Sequence, residues 1–138
     1  MSAERRLVYR GKMFRIAFAR DRGGAYPAEE FFDQLPKSDQ AKLDSLFRIL
    51  GDHGKHTNEQ KFGDLGDGLY EFKSFQIRMP FAYAENERGL ILITHGFRKK
   101  RDKALPSEIA RARRILDEDA EGSKVFVITD QKTKRKRL

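Results

Sequence analysis

Residues 95–103 collect the side-chain types that RNA chemistry requires. Five of these nine residues are cationic, and His95 and Phe97 stand near the start of the segment. It follows an apolar run at residues 90–94, typical of a buried strand, and precedes a helix-like segment that opens at Pro106. A strand that ends in this way presents positive charge, a titratable ring and a stacking surface at one place. The three features together indicate a protein that handles RNA.

Composition favours a polyanion as the partner. The chain has 138 residues, the length of one domain with a core large enough to fold without disulfides. It has no cysteine, which excludes a disulfide framework and a cysteine-based metal site. There are 29 basic and 21 acidic residues, and the last seven residues hold five of the basic ones and no acid. Such concentrated charge favours nucleic acid first and an anionic membrane second.

The expected location is the cytoplasm. Residues 1–6 carry three charges and no apolar stretch, so they do not have the pattern of a signal peptide. No apolar run approaches the ~20 residues that a membrane span needs. We therefore expect a protein that does not bind a membrane.

Apolar runs in the sequence predict strands. They lie at residues 7–9, 13–19, 69–73, 76–84 and 89–94. The last three follow one another through linkers of a few residues, typical of hairpins, so we expect an antiparallel meander. Residues 55–68 are polar and glycine-rich and are expected to form a loop. Residues 125–129 could add a last strand.

Helical spacing predicts two helices before the meander and one after it. The first opens at Tyr26-Pro27 and the second runs from about Ser38 to His53. We expect an α+β domain with an N-terminal helical hairpin and a C-terminal helix at residues 106–118, on a small antiparallel sheet of about four to five strands. This single domain spans residues 1–131, and residues 132–138 form a basic, disordered tail.

The ordered set of segments resembles the RelE/ParE superfamily of bacterial toxins, most closely its HigB-like, phage-derived branch. The matching segments are YPAEEFFDQLP, LYEFK, IRMPFAYA, ITHGFRKK and SEIARA, within about residues 13–116. The resemblance implies a RelE-like fold and a toxin that cleaves mRNA, usually on the ribosome, until an antitoxin inhibits it. It implies no metal or other cofactor. The implied partners are mRNA, the ribosome and a cognate helix-turn-helix, DNA-binding antitoxin.

In the implied reaction the ribose 2′-oxygen attacks the adjacent phosphate. The reaction needs a proton acceptor, cations for the phosphorane charge and an acid for the leaving 5′-oxygen. The catalytic residues that the resemblance implies are Arg78, His95, Lys99, Lys100 and Lys73. Arg78 is the expected phosphate clamp, because its planar guanidinium suits two non-bridging oxygens. The alternative is a strand arginine that pairs with a carboxylate.

The other four positions leave alternatives open. Lys73 could contact phosphate, act as a base if desolvated, or be a solvated strand lysine. His95 could be a base or acid near neutral pH, or a structural histidine at a strand end. Because neighbours in an extended segment alternate, one of Lys99 and Lys100 should point into the cleft and the other away.

A further group is expected to bind RNA without reacting. Its members are Arg98, Arg101, Lys103, Tyr83 and Phe97. The cations would bind flanking phosphates, and the two rings could stack on a splayed base, although strand aromatics commonly pack in a core. The basic run could also be a solvated loop that binds RNA without cutting it. The three histidines lack the spacing of a metal site.

The sequence therefore favours a ribosome-dependent mRNA endoribonuclease that acts as a toxin. The main alternative is a non-catalytic binding protein on the same fold. Such a protein could inhibit a host protein in the manner of ParE, serve as a phage-encoded regulator of host machinery, or bind nucleic acid as a simple basic module. A module of that last kind would show a steep salt dependence and no cleavage.

Overall fold

The computed structural model describes residues 5–54, 58–100 and 106–137, and for residues 123–137 it describes the helix backbone alone. This part of the chain contains seven strands and three helices. In chain order they are β1 Arg6–Arg10, β2 Arg15–Phe18, α1 Pro27–Asp33, α2 Lys37–His53, β3 Phe62–Gly66, β4 Leu69–Ser74, β5 Ile77–Tyr83, β6 Leu90–Ile93, β7 Phe97–Arg98 and α3 Pro106–Arg137. Among the described residues, no helix combines the length and apolarity that a membrane crossing needs.

The strands form one mixed sheet, so the expected antiparallel sheet of four to five strands is wrong. Their order is β1-β2-β6-β5-β4-β3, and β7 pairs with β5. β2 and β6 are parallel, with Ile16 beside Ile91, and the other pairs are antiparallel. A parallel pair joins segments that are distant in the chain and leaves no local turn signal. The expected meander of β4, β5 and β6 is confirmed.

The expected N-terminal helical hairpin is also wrong. β1 and β2 precede both helices, and α1 is a single short helix of seven residues with Pro27 in its first turn. α2 is the central helix, with 17 residues. It ends at Gly54, whose φ of +68° gives the left-handed cap that glycine adopts without strain. The class remains α+β.

Both faces of the sheet are covered, which explains why its central strands are continuous apolar runs. α1 and α2 pack on one face, where Phe47 of α2 meets Phe72 of β4 with 4.9 Å between ring centroids. α3 packs on the other face, where Ile115 lies against Leu90 and Leu92 of β6. Alternation along each strand therefore decides which side chains face α2 and which face α3.

Three local features differ from expectation. Residues 62–66 form β3 where a loop was expected, because the two-residue turn Asp67-Gly68, with φ of +52° and +82°, folds them back onto β4. β7 is a short strand inside the basic segment. Residues 125–129 lie within α3, so the expected last strand is wrong. A short apolar run does not distinguish strand from helix by its periodicity.

Candidate functional site

The β4–β5 hairpin places two of the expected catalytic cations side by side. Lys73 and Arg78 are direct partners in the antiparallel register, so their side chains lie on the same face of the sheet. By alternation this is the face on which Leu69 and Ala82 pack beneath α3. Both cations lie near the hairpin turn.

The guanidinium of Arg78 is held largely by its own hairpin. Its Nη1 donates hydrogen bonds to the carbonyl oxygens of Phe75 at 2.6 Å and of Ile77 at 2.9 Å. Its Nε lies 3.8 Å from Oε2 of Glu71, an ion-pair distance that is too long for a hydrogen bond. The Arg78 side chain is 14% exposed. Pairing of Arg78 with a carboxylate, the alternative that the sequence left open, is therefore present, and the phosphate clamp stays a prediction.

Glu71 is the site residue that the sequence interpretation missed. It lies on β4 two residues before Lys73 and is only 4% exposed. Burial raises the pKa of Glu71, and the nearby charges of Arg78, Lys99 and Lys73 oppose that rise. Its Oε1, like the Nε of Arg78, is buried without a hydrogen-bond partner. Such atoms are rare in native proteins, and a catalytic role is one of the explanations for them. The signal in the sequence was an acid between two aromatic residues of a strand.

Lys99 joins Glu71 from the β7 side. Its backbone N–H donates to the carbonyl of Gln76 at 2.7 Å, which attaches Lys99 to the β4–β5 turn. Lys99 is half-buried, whereas Lys100 is exposed. The structure therefore groups Lys73, Arg78 and Lys99 around Glu71, and we name these four residues the Glu71 cluster.

His95 lies away from solvent, with no exposed surface. Its Nε2 donates to Oε1 of Glu108 at 2.9 Å, because a carboxylate can only accept. Its Nδ1 lies 2.9 Å from the hydroxyl oxygen of Thr94, and its ring stacks with that of Phe97. Burial lowers the pKa of His95, while the hydrogen bond that His95 donates to Glu108 opposes this effect. These are the contacts of a structural histidine that ties the β6–β7 connection to the first turn of α3.

The expected stacking residues differ in position. Phe97 is the register partner of Arg78 on β7 and is half-buried. Tyr83 lies five residues further along β5 than Arg78, roughly 17 Å away at the rise of a strand. Its ring packs edge-on against Phe14 on the α2 face, with 5.3 Å between centroids. The structure therefore does not bring Tyr83 to the Glu71 cluster.

The remaining expected RNA contacts are placed only in part. Arg98 is exposed on β7, opposite Ile77. Arg101 and Lys103 lie outside the described residues.

A separate cleft of about 450 Å³ opens where α3 crosses the far end of the β4–β5 hairpin. Tyr70 and Tyr83 line it together with Asp67, Asp117 and Asp119. Within the ranges that the structure describes, no group of three or more histidine and acidic side chains is arranged to hold a metal ion. Four acidic side chains and one basic side chain, Arg113, line this cleft, and this balance disfavours RNA phosphates, so the Glu71 cluster is the candidate site.

Comparison with known families agrees with the resemblance to the RelE/ParE superfamily. The model of the family described as phage-derived protein Gp49-like (DUF891) matches residues 30–117, more than half of the chain. The chain belongs to this Gp49-like, phage-derived family, which is part of the RelE/ParE-like group of toxins. The matched residues include the whole Glu71 cluster. No curated protein matches the chain.

Proposed function

We propose that this protein is the toxin of a toxin–antitoxin pair, in the HigB-like branch, and that it cleaves mRNA on the ribosome. The observation that carries the proposal is the convergence of Lys73, Arg78 and Lys99 on the buried carboxylate of Glu71. Cations that are already in place stabilise developing phosphorane charge because they need no rearrangement during the reaction. Membership of a toxin group supports the biological role.

The proposed reaction is an attack of the ribose 2′-oxygen on the adjacent phosphorus. The P–O bond to the next 5′-oxygen breaks, which leaves a 2′,3′-cyclic phosphate and a 5′-hydroxyl. Arg78 and Lys99 bind the non-bridging oxygens, and Lys73 protonates the leaving oxygen.

Glu71 takes the 2′-hydroxyl proton in this scheme. It is the only carboxylate of the cluster, and its Oε1 has no hydrogen-bond partner. The upward shift of its pKa makes the carboxylate a stronger base than an ordinary glutamate. Hydrogen bonds to a catalytic base commonly form only when the substrate is bound.

His95 has a positioning role in this proposal. Its contacts with Thr94 and Glu108 fix the β6–β7 connection, from which Lys99 reaches the hairpin turn. The exposed Lys100 and Arg98 bind flanking phosphates of the message or of ribosomal RNA, with Arg101, Lys103 and the basic tail. Phe97 supports the ring of His95. The proposed location is the cytoplasm, and the proposed inhibitor is a helix-turn-helix antitoxin.

The test is induced expression in a bacterium, with growth followed and the 5′ ends of cellular mRNA mapped. Wild type should arrest growth and create new 5′ ends inside translated messages. Arg78→Lys keeps the charge but loses the planar fork, so it should greatly reduce both effects. Arg10→Lys, on exposed β1, is the matched control and should behave as wild type. Cuts that persist at full frequency in a folded Arg78→Lys protein would remove Arg78 from the site.

A second candidate is a non-catalytic binding protein on the same fold. The observation in its favour is that Arg78 is largely buried and already donates two hydrogen bonds to turn carbonyls. This candidate predicts growth arrest without new mRNA ends, and equal toxicity of the wild type and Arg78→Lys. The same expression experiment therefore separates the two candidates.

A further inference from the structure

The turn between β4 and β5 exposes a large apolar side chain. Phe75 is 76% exposed, more than any other large hydrophobic residue whose side chain the structure describes. It stands first in a two-residue turn with φ of +55°, a conformation that bulky residues rarely adopt. Turns with positive φ at this position favour glycine. Backbone geometry and burial thus both disfavour phenylalanine here, which points to a function of the exposed ring.

The same turn is attached to two cations of the Glu71 cluster. The carbonyl of Phe75 accepts the 2.6 Å hydrogen bond from the guanidinium of Arg78, and the carbonyl of Gln76 accepts a 2.7 Å bond from the backbone N–H of Lys99. A third cation, Lys42 of α2, places its Nζ 4.4 Å from the centre of the Phe75 ring. An exposed aromatic surface is therefore bordered by positive charge.

We propose that Phe75 is a stacking platform for an unpaired RNA base next to the cleaved nucleotide, and that Lys42 binds a phosphate of the same strand. This inference rests on the proposed function, since it takes the message as the ligand. Every nucleotide supplies a planar base and an anionic phosphate together, which matches a ring bordered by cations. A protein partner would have to supply an apolar cover and several carboxylates separately.

The Phe75 ring would contact a base that flanks the reacting phosphate. The Phe75 ring leans towards α2, as its contact with Lys42 shows, whereas Arg78 and Lys73 lie on the α3 face of the sheet. The RNA strand would pass around the hairpin turn, with its reacting phosphate on the Glu71 cluster and a flanking base on Phe75. Because each base has a π-face, this contact adds affinity with little sequence preference.

The experiment measures binding of the full-length protein to a short single-stranded RNA whose 2′-oxygens are methylated, so that it cannot be cleaved. A matched oligonucleotide carries the same phosphates but several abasic positions. Wild type is compared with Phe75→Ala, Phe75→Tyr and Phe75→Gly by fluorescence anisotropy, and thermal unfolding of each variant is measured. Ile49→Ala, another exposed apolar position, is the control.

Phe75→Ala and Phe75→Gly should weaken binding of the base-bearing oligonucleotide about tenfold, within the range for loss of one base–aromatic stack. Phe75→Tyr and Ile49→Ala should bind as wild type. The abasic oligonucleotide should not distinguish wild type from Phe75→Ala. Phe75→Gly should unfold at the same temperature as wild type or higher, because glycine relieves the positive φ. A purely structural role of Phe75 would instead lower the unfolding temperature.

Unchanged affinity in Phe75→Ala, equal losses on both oligonucleotides, or no binding by wild type would each overturn the proposal. If Phe75→Ala binds RNA normally but no longer captures an antitoxin, the turn is a protein-docking site and the proposal is also overturned. The readout does not depend on cleavage. A wild type that binds through Phe75 but never cuts RNA would therefore contradict the proposed function and leave this inference standing.

Discussion

Arg78 and Glu71 lie diagonally across neighbouring strands as a buried ion pair with 3.8 Å between Nε and Oε2. The same Nε, together with Oε1 of Glu71, lacks a hydrogen-bond partner. A buried pair without good hydrogen bonds is a weak source of stability, because desolvation offsets much of the attraction. In the proposed nuclease the pair would hold an arginine and a carboxylate next to the substrate.

Replacing Arg78 alone should lower the free energy of unfolding more than replacing both Arg78 and Glu71. Arg78→Ala leaves the carboxylate of Glu71 buried without its main counter-charge and should lower the free energy of unfolding by about 3 kcal/mol. The double variant Arg78→Ala/Glu71→Gln removes the uncompensated charge and should recover most of that loss. Urea unfolding at pH 7 of the wild type, both single variants and the double variant measures the coupling. Strictly additive losses would show that the two side chains do not interact.

Lys99 and Lys100 form a matched pair of neighbouring lysines with different surroundings. Lys99 is half-buried, and its charge opposes the rise in the pKa of Glu71, whereas Lys100 is exposed. Lys99→Ala should therefore lower the single-turnover rate of mRNA cleavage by about 10²-fold, the usual loss when one preorganised donor is removed. Lys100→Ala should change the rate by less than about threefold, since an exposed cation contributes little to a buried charge. Equal losses in the two variants would contradict this assignment.

Because His95 is buried, the free energy of unfolding should decrease at acidic pH. The pKa of His95 is lowered in the folded protein, so between that value and the ordinary pKa of about 6.5 the unfolded chain binds more protons. The free energy of unfolding is therefore at its full value above about pH 6.5 and falls as pH decreases through this window, by at most about 1.4 kcal/mol per pH unit.

His95→Gln removes the titratable imidazole, and the glutamine amide can still form hydrogen bonds with Thr94 and Glu108. Urea unfolding at pH 7.5 and pH 5.5 should show a smaller pH effect in the variant than in wild type. If both proteins lose the same free energy on acidification, His95 is not the group responsible.

The basic tail should contribute to polyanion affinity. Residues 132–138 hold five of the 29 basic residues. Their deletion should weaken binding to a single-stranded RNA and reduce the slope of log K against log salt by up to about 3.5. The measurement is anisotropy at several salt concentrations. The same affinity and slope with and without the tail would show that it does not touch the nucleic acid.

The central part of the site could be predicted because it depends on a local hairpin. Apolar runs at residues 69–73 and 76–84, with a short linker between them, predict the pairing that places Lys73 beside Arg78. Alternation also predicts that only one of Lys99 and Lys100 points towards the site, and Lys99 is the one whose charge acts on the pKa of Glu71. The roles of these residues in catalysis stay predictions.

The features that were missed depend on contacts between distant parts of the chain. The parallel pair of β2 and β6 forms through burial on both faces and has no local signature. Strand β3 contains Gly63, Asp64 and Gly66, residue types that are rare in strands, and it is held by its pairing with β4 and by the burial of Phe62 in the core. The hydrogen bond of His95 joins it to Glu108, 13 residues later on another element. Glu71 looks like a solvated strand acid in the sequence, and its burial appears only in the folded structure.

The most direct test of the central claim is single-turnover cleavage of a defined mRNA on ribosomes, with the product ends identified and the pH varied. Wild type should leave a 2′,3′-cyclic phosphate and a 5′-hydroxyl, and its rate should rise with pH as the carboxylate of Glu71, whose pKa is raised, loses its proton. Glu71→Gln should be slower by at least about 10²-fold and lack that rise. Products without a cyclic phosphate, or a folded Glu71→Gln protein with the wild-type rate and pH profile, would contradict the account.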